Sequence, residues 1–314
     1  MEKQQGFFIS SNGRDNICYH RFMPAGEVKG IFQIVHGMAE HSLRYENFAA
    51  YLCNAGFAVY IHDHMGHGSS VVDTGQLGLF LDGNQADFMV EDVRKLAQIA
   101  KKENPDKKHI LFGHSMGSFI VRIFASKYSA AIDGLIICGT GAQNSKAVAA
   151  KSIIKLMRVF RGRNHKSDFI DKLSFGKNNE RYDEASTKFD WLSRDPLVVS
   201  EYIASDYCGF LFSLDGMLNL LDTNIISNKP EAFKSLRVDL PLLIISGDMD
   251  PVGDYGEGVK KVYDSYVCAG ANKVTLKLYP DARHEILNET NKDEVYKDIL
   301  DFALLYGAEV LETV

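Results

Sequence analysis

The sequence predicts an α/β protein built on one mostly parallel central sheet that is flanked by helices. Three observations support this prediction. Short apolar runs, typical of strands buried on both faces, alternate with amphipathic helical patterns over residues 30–139. Between residues 143 and 239 this alternation stops, and helical patterns follow one another without a clear strand. It returns at residue 240, where two further strand–helix pairs complete the chain.

The first half of the chain supplies a hairpin and four buried strands. Alternating residues on either side of Ser11-Asn12-Gly13 predict the hairpin. A glycine at position 56 closes the first helix, and Pro105 follows the end of the second. The predicted strands cover residues 7–10, 15–23, 30–37, 57–62, 109–112 and 134–139, and the predicted helices cover 43–54, 84–103 and 118–125.

The second half returns to the same pattern after the helical interruption. Its predicted strands are residues 240–247 and 274–279, and its predicted helices are 254–268 and 292–306. We therefore expect residues 1–142 and 240–314 to form the core, with residues 143–239 inserted before the last two strands as a helical lid. Lids exclude water from a site and shape its pocket.

Composition excludes several classes of protein. The 314 residues are 46% hydrophobic and 24% charged, which is ordinary for a globular chain. A net charge of −6 gives no sign of a nucleic-acid binder. The N-terminus lacks the apolar stretch of a signal peptide, and no run reaches the length of a membrane span. Five scattered cysteines without paired spacing are typical of a cytoplasmic protein: Cys18, Cys53, Cys138, Cys208 and Cys268.

Residues 113–117 read Gly-His-Ser-Met-Gly and lie between a predicted strand and a predicted helix. In that context G-x-S-x-G is typical of a nucleophile elbow, in which the serine sits on a tight, strained turn. Both glycines are needed because a side chain two residues to either side of the serine would collide with neighbouring backbone. The following helix points its positive N-terminus at the site. We expect Ser115 to be a nucleophile; an ordinary glycine-rich turn is the alternative.

A serine nucleophile needs a base that takes its proton and a carboxylate that orients the base. In this fold the acid and then the histidine follow different later strands. His284 follows the last predicted strand and is the only histidine after residue 165, so it is the expected base rather than a surface histidine. Asp248, Asp250 and Asp254 all lie near the end of the preceding strand. The reach to a neighbouring loop favours Asp250, whereas Asp248 could brace the turn.

An oxyanion hole requires two backbone N–H groups directed at the developing negative charge. One is expected from Met116, the residue after Ser115, and the other from Met38 in the turn after the first buried strand. Methionine side chains in both places also suit an apolar acyl pocket. Simple core packing of Met38 and Met116 is the alternative.

Several of these stretches resemble one known family. Residues 36–45, H-G-M-A-E-H-S-L-R-Y, resemble the H-G-x-x-E-H-x-x-R-Y stretch of the monoacylglycerol lipase and lysophospholipase group of α/β-hydrolases, which is also labelled serine aminopeptidase-like. Residues 63–70 resemble the group's D-x-R-G-H-G-x-S loop, with Met65 in the arginine place. Residues 113–117 match its G-H-S-M-G elbow, and Asp250 falls on the acid of its G-x-x-D loop.

The resemblance implies the α/β-hydrolase fold and hydrolysis of a carboxylic ester, of the monoacylglycerol or lysophospholipid type, through an acyl-serine. Two alternatives stay open. A non-catalytic hydrolase-fold binding protein is disfavoured because all three triad positions are filled. An aminopeptidase of the proline-iminopeptidase kind would need carboxylates in the lid to hold the free amine of its substrate. The candidates are Asp168, Asp171, Glu180, Asp183 and Glu184.

A metal hydrolase must also be considered, because His62, His64 and His67 form an H-x-H-x-x-H cluster. Metallo-β-lactamase-type sites place an aspartate before the third histidine, and here that residue is Gly66. A loop held by hydrogen bonds of these histidines is favoured over a metal site. No phosphate-binding loop or dinucleotide fingerprint follows the first buried strand, so we expect neither metal nor cofactor.

The first part of the lid, residues 146–166, is basic and amphipathic. Its apolar residues are interleaved with seven cations and no acid: Lys146, Lys151, Lys155, Arg158, Arg161, Arg163 and Lys166. Such a helix can dock on an anionic membrane surface, which would give a cytoplasmic enzyme peripheral access to a lipid ester substrate. A solvated helix whose apolar side roofs the acyl pocket is the other interpretation, and the two are compatible.

Overall fold

A central sheet of eight strands organises the protein in a computed structural model that describes residues 1–80, 85–143, 145–182 and 184–308. The strands are β1 (Glu2–Ile9), β2 (Asn16–Met23), β3 (Gly30–Val35), β4 (Phe57–His62), β5 (His109–His114), β6 (Gly134–Cys138), β7 (Leu242–Gly247) and β8 (Val274–Tyr279). Their order in the sheet is β1-β2-β4-β3-β5-β6-β7-β8. Strand β2 is antiparallel to both of its neighbours, and every other pair is parallel.

Helices cover both faces of this sheet. They are α1 (Glu46–Asn54), α2 (Gln85–Glu103), α3 (Met116–Tyr128), α4 (Ser145–Arg161), α5 (Asp168–Phe175), α6 (Pro196–Ala204), α7 (Leu214–Ser227), α8 (Pro230–Lys234), α9 (Glu257–Cys268) and α10 (Lys292–Gly307). Side chains of α2, α3 and α9 join the core on one face, and side chains of α1 and α10 join the core on the other. Because both faces are covered, every residue of β3 to β7 is buried, as their apolar runs predict.

Two of the boundaries that differ from the sequence prediction have a clear physical cause. Strand β1 begins at Glu2 rather than at residue 7, because pairing with β2 recruits a polar stretch that has no hydrophobic pattern of its own. Helix α9 begins at Glu257 rather than at 254, because Asp254 and Tyr255 adopt left-handed backbone with φ of 50° and 55°.

The strand order places the site. The chain passes from β3 to β4 on one side and then crosses back to β5 on the other side of β3. Ligands in open α/β sheets bind at such a reversal, outside the carboxyl ends of the strands. The turns that follow β3 and β5 therefore meet at one edge. These turns contain Met38 and Ser115.

The chain between β6 and β7 contributes helices and no strand of the sheet, within its described residues. Leu214 and Met217 of α7 pack into the same core as Ile120 and Phe124 of α3. An isolated β-bridge joins Lys166 to Ser213. Within the ranges described, no helix is long and apolar enough to cross a membrane.

Candidate active site

Ser115 occupies a strained turn between β5 and α3. Its φ of 54° and ψ of −120° lie outside the regions that non-glycine residues ordinarily adopt. Its N–H donates to the carbonyl of Cys138 over 3.0 Å, and its own carbonyl accepts the hydroxyl of Ser118 over 2.6 Å. The backbone of Ser115 is thus fixed by hydrogen bonds through both its N–H and its carbonyl. Ser115 itself is partly exposed, whereas His114 and Met116 on either side are buried. This is the geometry predicted for a nucleophile elbow.

The two glycines of the elbow are required by close backbone approach. A Cβ at Gly113 would lie 2.5 Å from the carbonyl oxygen of Gly117. A Cβ at Gly117 would lie 2.1 Å from the carbonyl oxygen of Val35. Real Cβ atoms do not approach backbone so closely, so any side chain at either place would displace the turn.

His284 and Asp250 form a buried acid–base pair. Nδ1 of His284 lies 2.9 Å from Oδ2 of Asp250, and the residues are 2% and 0% exposed. The carboxylate also accepts the Ser246 hydroxyl at 3.0 Å and the Val252 N–H at 2.8 Å. Burial alone would raise the pKa of Asp250, but the His284 charge and these hydrogen bonds hold it below its ordinary value. With Nδ1–H donated to the carboxylate, Nε2 of His284 is left as the basic nitrogen.

The histidine ring lies beside the elbow. Its centroid is 4.8 Å from that of His114, the residue before Ser115. A Cβ on Gly139 would lie 3.2 Å from Cε1 of His284, and the residue before Gly139 accepts the N–H of Ser115. The structure therefore brings Ser115, His284 and Asp250 to one edge of the sheet.

The other two aspartates of the acid loop occupy different environments. Oδ1 of Asp248 accepts the N–H of Asp281 over 2.7 Å and so joins the acid loop to the histidine loop. Asp254 is exposed at a left-handed position. Of the three candidates, Asp250 contacts His284 and Asp248 braces the turn.

The predicted oxyanion amides belong to a rigid turn and to the first residue of α3. On either side of Met38, the N–H of Gly37 donates to Glu40 Oε1 over 2.6 Å, and Ala39 has a φ of 52°. Among the described residues, the N–H groups of Met38 and Met116 have no acceptor. Unpaired backbone donors beside a nucleophile are what a developing oxyanion would require.

Glu40 joins the turn to the elbow, a role that sequence reasoning missed. Its Oε1 accepts the Tyr45 hydroxyl at 2.9 Å as well as the Gly37 N–H, and it lies 3.3 Å from Nδ1 of His114. Burial opposes both charges, but the mutual contact holds the pKa of Glu40 well below its ordinary value and raises that of His114. The only signal was Glu40's place in the H-G-x-x-E-H stretch.

Arg44 extends this network to the histidine loop. Its guanidinium donates to Glu40 Oε2 at 2.9 Å and to both carboxylate oxygens of Glu285 at 2.6 Å. Glu285 directly follows His284. A bidentate, buried ion pair of this kind fixes geometry as well as charge. The oxyanion turn, the elbow and the histidine loop are therefore held as one unit.

The histidines considered as metal ligands hydrogen-bond to one another and to backbone. His62 Nε2 lies 3.2 Å from His64 Nδ1, His64 Nε2 lies 3.1 Å from the carbonyl of His36, and His67 Nδ1 lies 2.9 Å from the carbonyl of Met65. Burial lowers the pKa of His62 and of His67 to about 3, so both are neutral at ordinary pH. These contacts favour the structural interpretation of the cluster.

A stretch of the inserted helical region, residues 182 and 184–213, is called here the clamp segment. It contacts the acid loop, the oxyanion turn and the histidine loop. The hydroxyl of Tyr182 donates to the carbonyl of Met249 in the acid loop. The carbonyl of Ala39, beside Met38, accepts the hydroxyl of Tyr202 at 2.9 Å and the N–H of Gly209 at 2.9 Å.

The clamp segment also holds the histidine loop. The carbonyls of Trp191 and Leu192 accept the N–H groups of His284 at 3.3 Å and Glu285 at 2.7 Å. The buried guanidinium of Arg283 donates to the carbonyl of Asp190 at 2.7 Å. The local sequence gave no signal for these contacts, because each joins residues about 90 or more positions apart.

The carboxylates considered for an aminopeptidase are dispersed. Glu184 pairs with Arg283 at 2.9 Å, and Glu180 pairs with Lys177 at 2.9 Å on the surface. Asp168 and Asp171 lie in the first turn of α5. Asp183 lies outside the described residues. The described members do not converge on one amine-binding position.

Comparison with known proteins identifies a family and a solved structure that resemble this chain over most of its length. A family model described as "Serine aminopeptidase, S33" matches residues 26–291. The crystal structure of a highly thermostable carboxyl esterase from Bacillus coagulans in complex with glycerol has a TM-score of 0.91 and 34% identity, covering 98% of this chain and 99% of that one. This similarity confirms the predicted α/β-hydrolase fold.

Two named relatives are similar along nearly the whole chain. A monoacylglycerol lipase of Mycolicibacterium smegmatis is 29% identical over 290 residues, covering 91% of this chain and 92% of the relative. The human monoglyceride lipase is 26% identical over 289 residues, covering 90% and 83%. These similarities confirm the group that the sequence motifs resemble.

Proposed function

Because this chain belongs to the serine aminopeptidase S33 family, and because its named relatives include two monoacylglycerol lipases, we propose that it hydrolyses carboxylic esters of lipids. The substrate is a monoacylglycerol or a lysophospholipid, and the reaction proceeds through an acyl-serine. The observation that supports this most strongly is the strained Ser115 beside the buried His284–Asp250 pair.

The residues divide the reaction as follows. The Ser115 hydroxyl oxygen forms a bond to the ester carbonyl carbon while its proton passes to Nε2 of His284, and the carbonyl π pair moves onto oxygen. Collapse of this intermediate breaks the bond to the alcohol, which leaves with the proton from His284. Water, activated in turn by His284, then cleaves the acyl-serine to the free fatty acid and restores Ser115. Asp250 orients His284 throughout.

The oxyanion is stabilised by the backbone N–H groups of Met38 and Met116. Their lack of other acceptors, within the residues the structure describes, supports this role. Gly37 and Ala39 hold the first of these amides in place through Glu40 and the clamp segment. The donors are thus oriented before substrate binds. Oxyanion stabilisation is effective for this reason, because no reorganisation is needed when the negative charge develops.

Replacement of Ser115 by alanine tests the nucleophile. Wild type, Ser115→Ala and the control Ser126→Ala are assayed on monooleoylglycerol, lysophosphatidylcholine, p-nitrophenyl esters and proline p-nitroanilide. Ser126 is also in α3, but its hydroxyl only bonds the carbonyl of Ile123. We expect Ser115→Ala to lose turnover by at least ~10³-fold while keeping the wild-type melting temperature. Comparable activity of Ser115→Ala and Ser126→Ala would remove Ser115 as the nucleophile.

The same panel separates the substrate classes. Release of fatty acid that depends on Ser115 would support the lipid ester proposal and rank the head groups. Cleavage of the anilide alone would move the chain to the peptidases. Activity on neither class would contradict the proposal.

The acid is tested by a matched pair of variants. Asp250→Asn should lower turnover by roughly 10⁴-fold, because His284 would lose the partner that fixes its tautomer. Asp248→Asn removes a carboxylate of the same loop that accepts only the N–H of Asp281, so its turnover should stay within severalfold of wild type. The reverse ranking would show that the acid is assigned wrongly.

We also propose that residues 143–239 act as a lid on a core made of residues 1–142 and 240–314, and that the lid docks on membranes from the cytoplasm. The docking surface is the front segment, defined as residues 145–175, which comprise α4, α5 and the turn between them. Leu156, Val159 and Phe160 are 63%, 78% and 78% exposed there. Exposed apolar clusters of this kind mark interaction sites.

Ion pairs with another helix offset part of the positive charge of the front segment. Lys151 pairs with Asp222, and both Arg158 and Arg163 pair with Asp215, so acids of α7 neutralise part of the basic stretch. Lys155 and Arg161 remain exposed beside the apolar residues. The side chain of Lys146 lies outside the described part of the chain. Apolar insertion therefore contributes more to the proposed docking than charge does.

Sedimentation with lipid vesicles tests this docking. The double variant Leu156→Ser/Phe160→Ser should bind vesicles of phosphatidylcholine and phosphatidylglycerol severalfold less than wild type, with unchanged turnover of a short p-nitrophenyl ester. Leu305→Ser removes an equally exposed leucine from α10 and is the matched control. Equal binding by all three proteins would contradict the docking proposal.

A further inference from the structure

The indole of Trp191 packs on the proposed catalytic base. Trp191 is the only tryptophan of the chain and lies in a single 3₁₀ turn, Asp190–Leu192. Its ring centroid is 5.0 Å from that of His284, with an interplanar angle of 38°. Its carbonyl accepts the His284 N–H at 3.3 Å, so the same residue contacts both the backbone and the ring of the histidine.

The other contacts of the imidazole explain why this face matters. Oδ2 of Asp250 lies 2.9 Å from Nδ1 of His284. The ring centroid of His114 lies 4.8 Å from that of His284, and Glu40 raises the pKa of His114 despite its burial. Whenever His114 is protonated, it repels a proton on His284. An electron-rich ring face against His284 counters that repulsion, because the negative face of an indole attracts a cation.

We propose that Trp191 is a positioning residue that fixes the ring plane of His284 and stabilises its protonated form during acyl transfer. This inference rests on the proposed function, in which His284 takes the proton of Ser115. The tryptophan acts only through the histidine and forms no bond to substrate. A packing contact that favours the charged imidazole should lower the barrier wherever His284 carries the proton.

The kinetic test compares pH profiles. Trp191→Leu should lower kcat roughly tenfold and shift the acidic limb of the kcat/KM profile to lower pH by about half a unit or more, while Trp191→Phe should recover most of both effects because it restores an aromatic face. Phe189→Leu is the matched control. Phe189 belongs to the same clamp segment and packs on Tyr202 at 5.0 Å, away from His284. It should not move the pH profile.

A spectroscopic arm is independent of turnover. The measurement uses the inactive variant Ser115→Ala. Because Trp191 is the only tryptophan of the chain, all indole fluorescence comes from it, and a protonated imidazole quenches that fluorescence on contact. Its emission should fall as His284 takes up a proton, and His284→Gln should abolish this pH dependence. This arm works even if no ester is cleaved, so failure of the proposed function is distinguished from failure of the Trp191 inference.

The outcomes are decisive in each case. A shifted profile in Trp191→Leu, its recovery in Trp191→Phe and a quenching step that His284→Gln removes would support the inference. An unshifted profile, the same shift in Phe189→Leu or emission that titrates equally without His284 would overturn it. If Trp191→Leu does not fold, the fluorescence measurement still decides.

Discussion

Two parts of one helical insertion have opposite relations to the active site. The clamp segment is hydrogen-bonded to the acid loop, the histidine loop and the oxyanion turn. The front segment pairs mainly with α7 of the same insertion and leaves Leu156, Val159 and Phe160 in solvent. A single sequence insertion thus contains one part that completes the catalytic scaffold and another that is free to meet an external surface.

This difference between the clamp segment and the front segment predicts where substitutions should affect catalysis. Backbone carbonyls of Asp190, Trp191 and Leu192 are acceptors for the histidine loop, so movement of the clamp segment would disturb the His284–Asp250 pair. The front segment sends no such bond to a site loop among the described residues. Substitutions should therefore be costly for catalysis in the first region and nearly silent in the second.

The largest contrast is expected from two arginines. Arg283→Met removes a buried guanidinium that donates to the carbonyls of Asp190 and Ser193 and stacks 4.2 Å from the ring of Tyr182. We expect a loss of about 2–3 kcal/mol in the free energy of unfolding, because buried acceptors would be left unpaired. Turnover should fall roughly 10²-fold through displacement of the histidine loop. Urea unfolding and ester kinetics measure the two effects.

Arg161→Met in the front segment is the matched control. Arg161 is exposed on α4, so its replacement should change the free energy of unfolding by less than about 0.5 kcal/mol. Similar losses from both arginines would mean that the two parts of the insertion are one cooperative unit, which would break the comparison.

The sequence predicted the residues that local pattern can reveal. Ser115 and Asp250 each follow a buried strand, His284 follows the edge strand β8, and parallel strands bring their carboxyl ends to one edge. The glycine at 113 has a steric reason that acts within a few residues, because a Cβ there would meet the carbonyl oxygen of Gly117. The glycine at 117 makes room for the carbonyl of Val35, which is distant in sequence, and it was predicted from the elbow motif.

The clamp segment could not be predicted in the same way. The bonds from Tyr202 to Ala39 and from Arg283 to Asp190 join residues 163 and 93 positions apart. Arg44 and Glu285 are separated by 241 positions. No periodicity or turn signal encodes such pairs, because they depend on how the inserted helices settle on the sheet. The neutralisation of the basic stretch by Asp215 and Asp222 escaped prediction for the same reason.

Acid should loosen the clamp segment before the front segment. His67 packs against the rings of Phe210 and Phe212, at 5.2 and 5.3 Å, and burial lowers its pKa to about 3. In the opened state His67 would have its ordinary pKa near 6.5. Packing of the clamp segment on neutral His67 is therefore fully stabilising above that pH, and this stability is lost as the pH falls. The opening free energy should drop by up to about 1.4 kcal/mol per pH unit between those values.

Hydrogen exchange measures this directly. Corrected for intrinsic rates, amides of residues 202–213 should exchange up to about tenfold faster per pH unit on acidification below pH 6, while those of α4 and α5, which contain no histidine, should not. His67→Gln should remove the acid dependence. Acceleration of both regions alike would contradict the assignment of the effect to His67.

The smallest contrast separates two tyrosines near the same end of the clamp segment. Tyr202→Phe keeps the ring contacts to Phe189 and Arg44 but removes the hydroxyl that donates to the carbonyl of Ala39. The N–H of Gly209 still donates to that carbonyl, so the loss in the free energy of unfolding should be only about 1 kcal/mol. Because Ala39 fixes the Met38 amide, kcat should fall severalfold with little change in KM. Tyr207→Phe, at an exposed residue of the same segment, should change neither constant. A rise in KM with constant kcat in Tyr202→Phe would place its role in substrate binding and would remove the link between the clamp segment and the oxyanion turn.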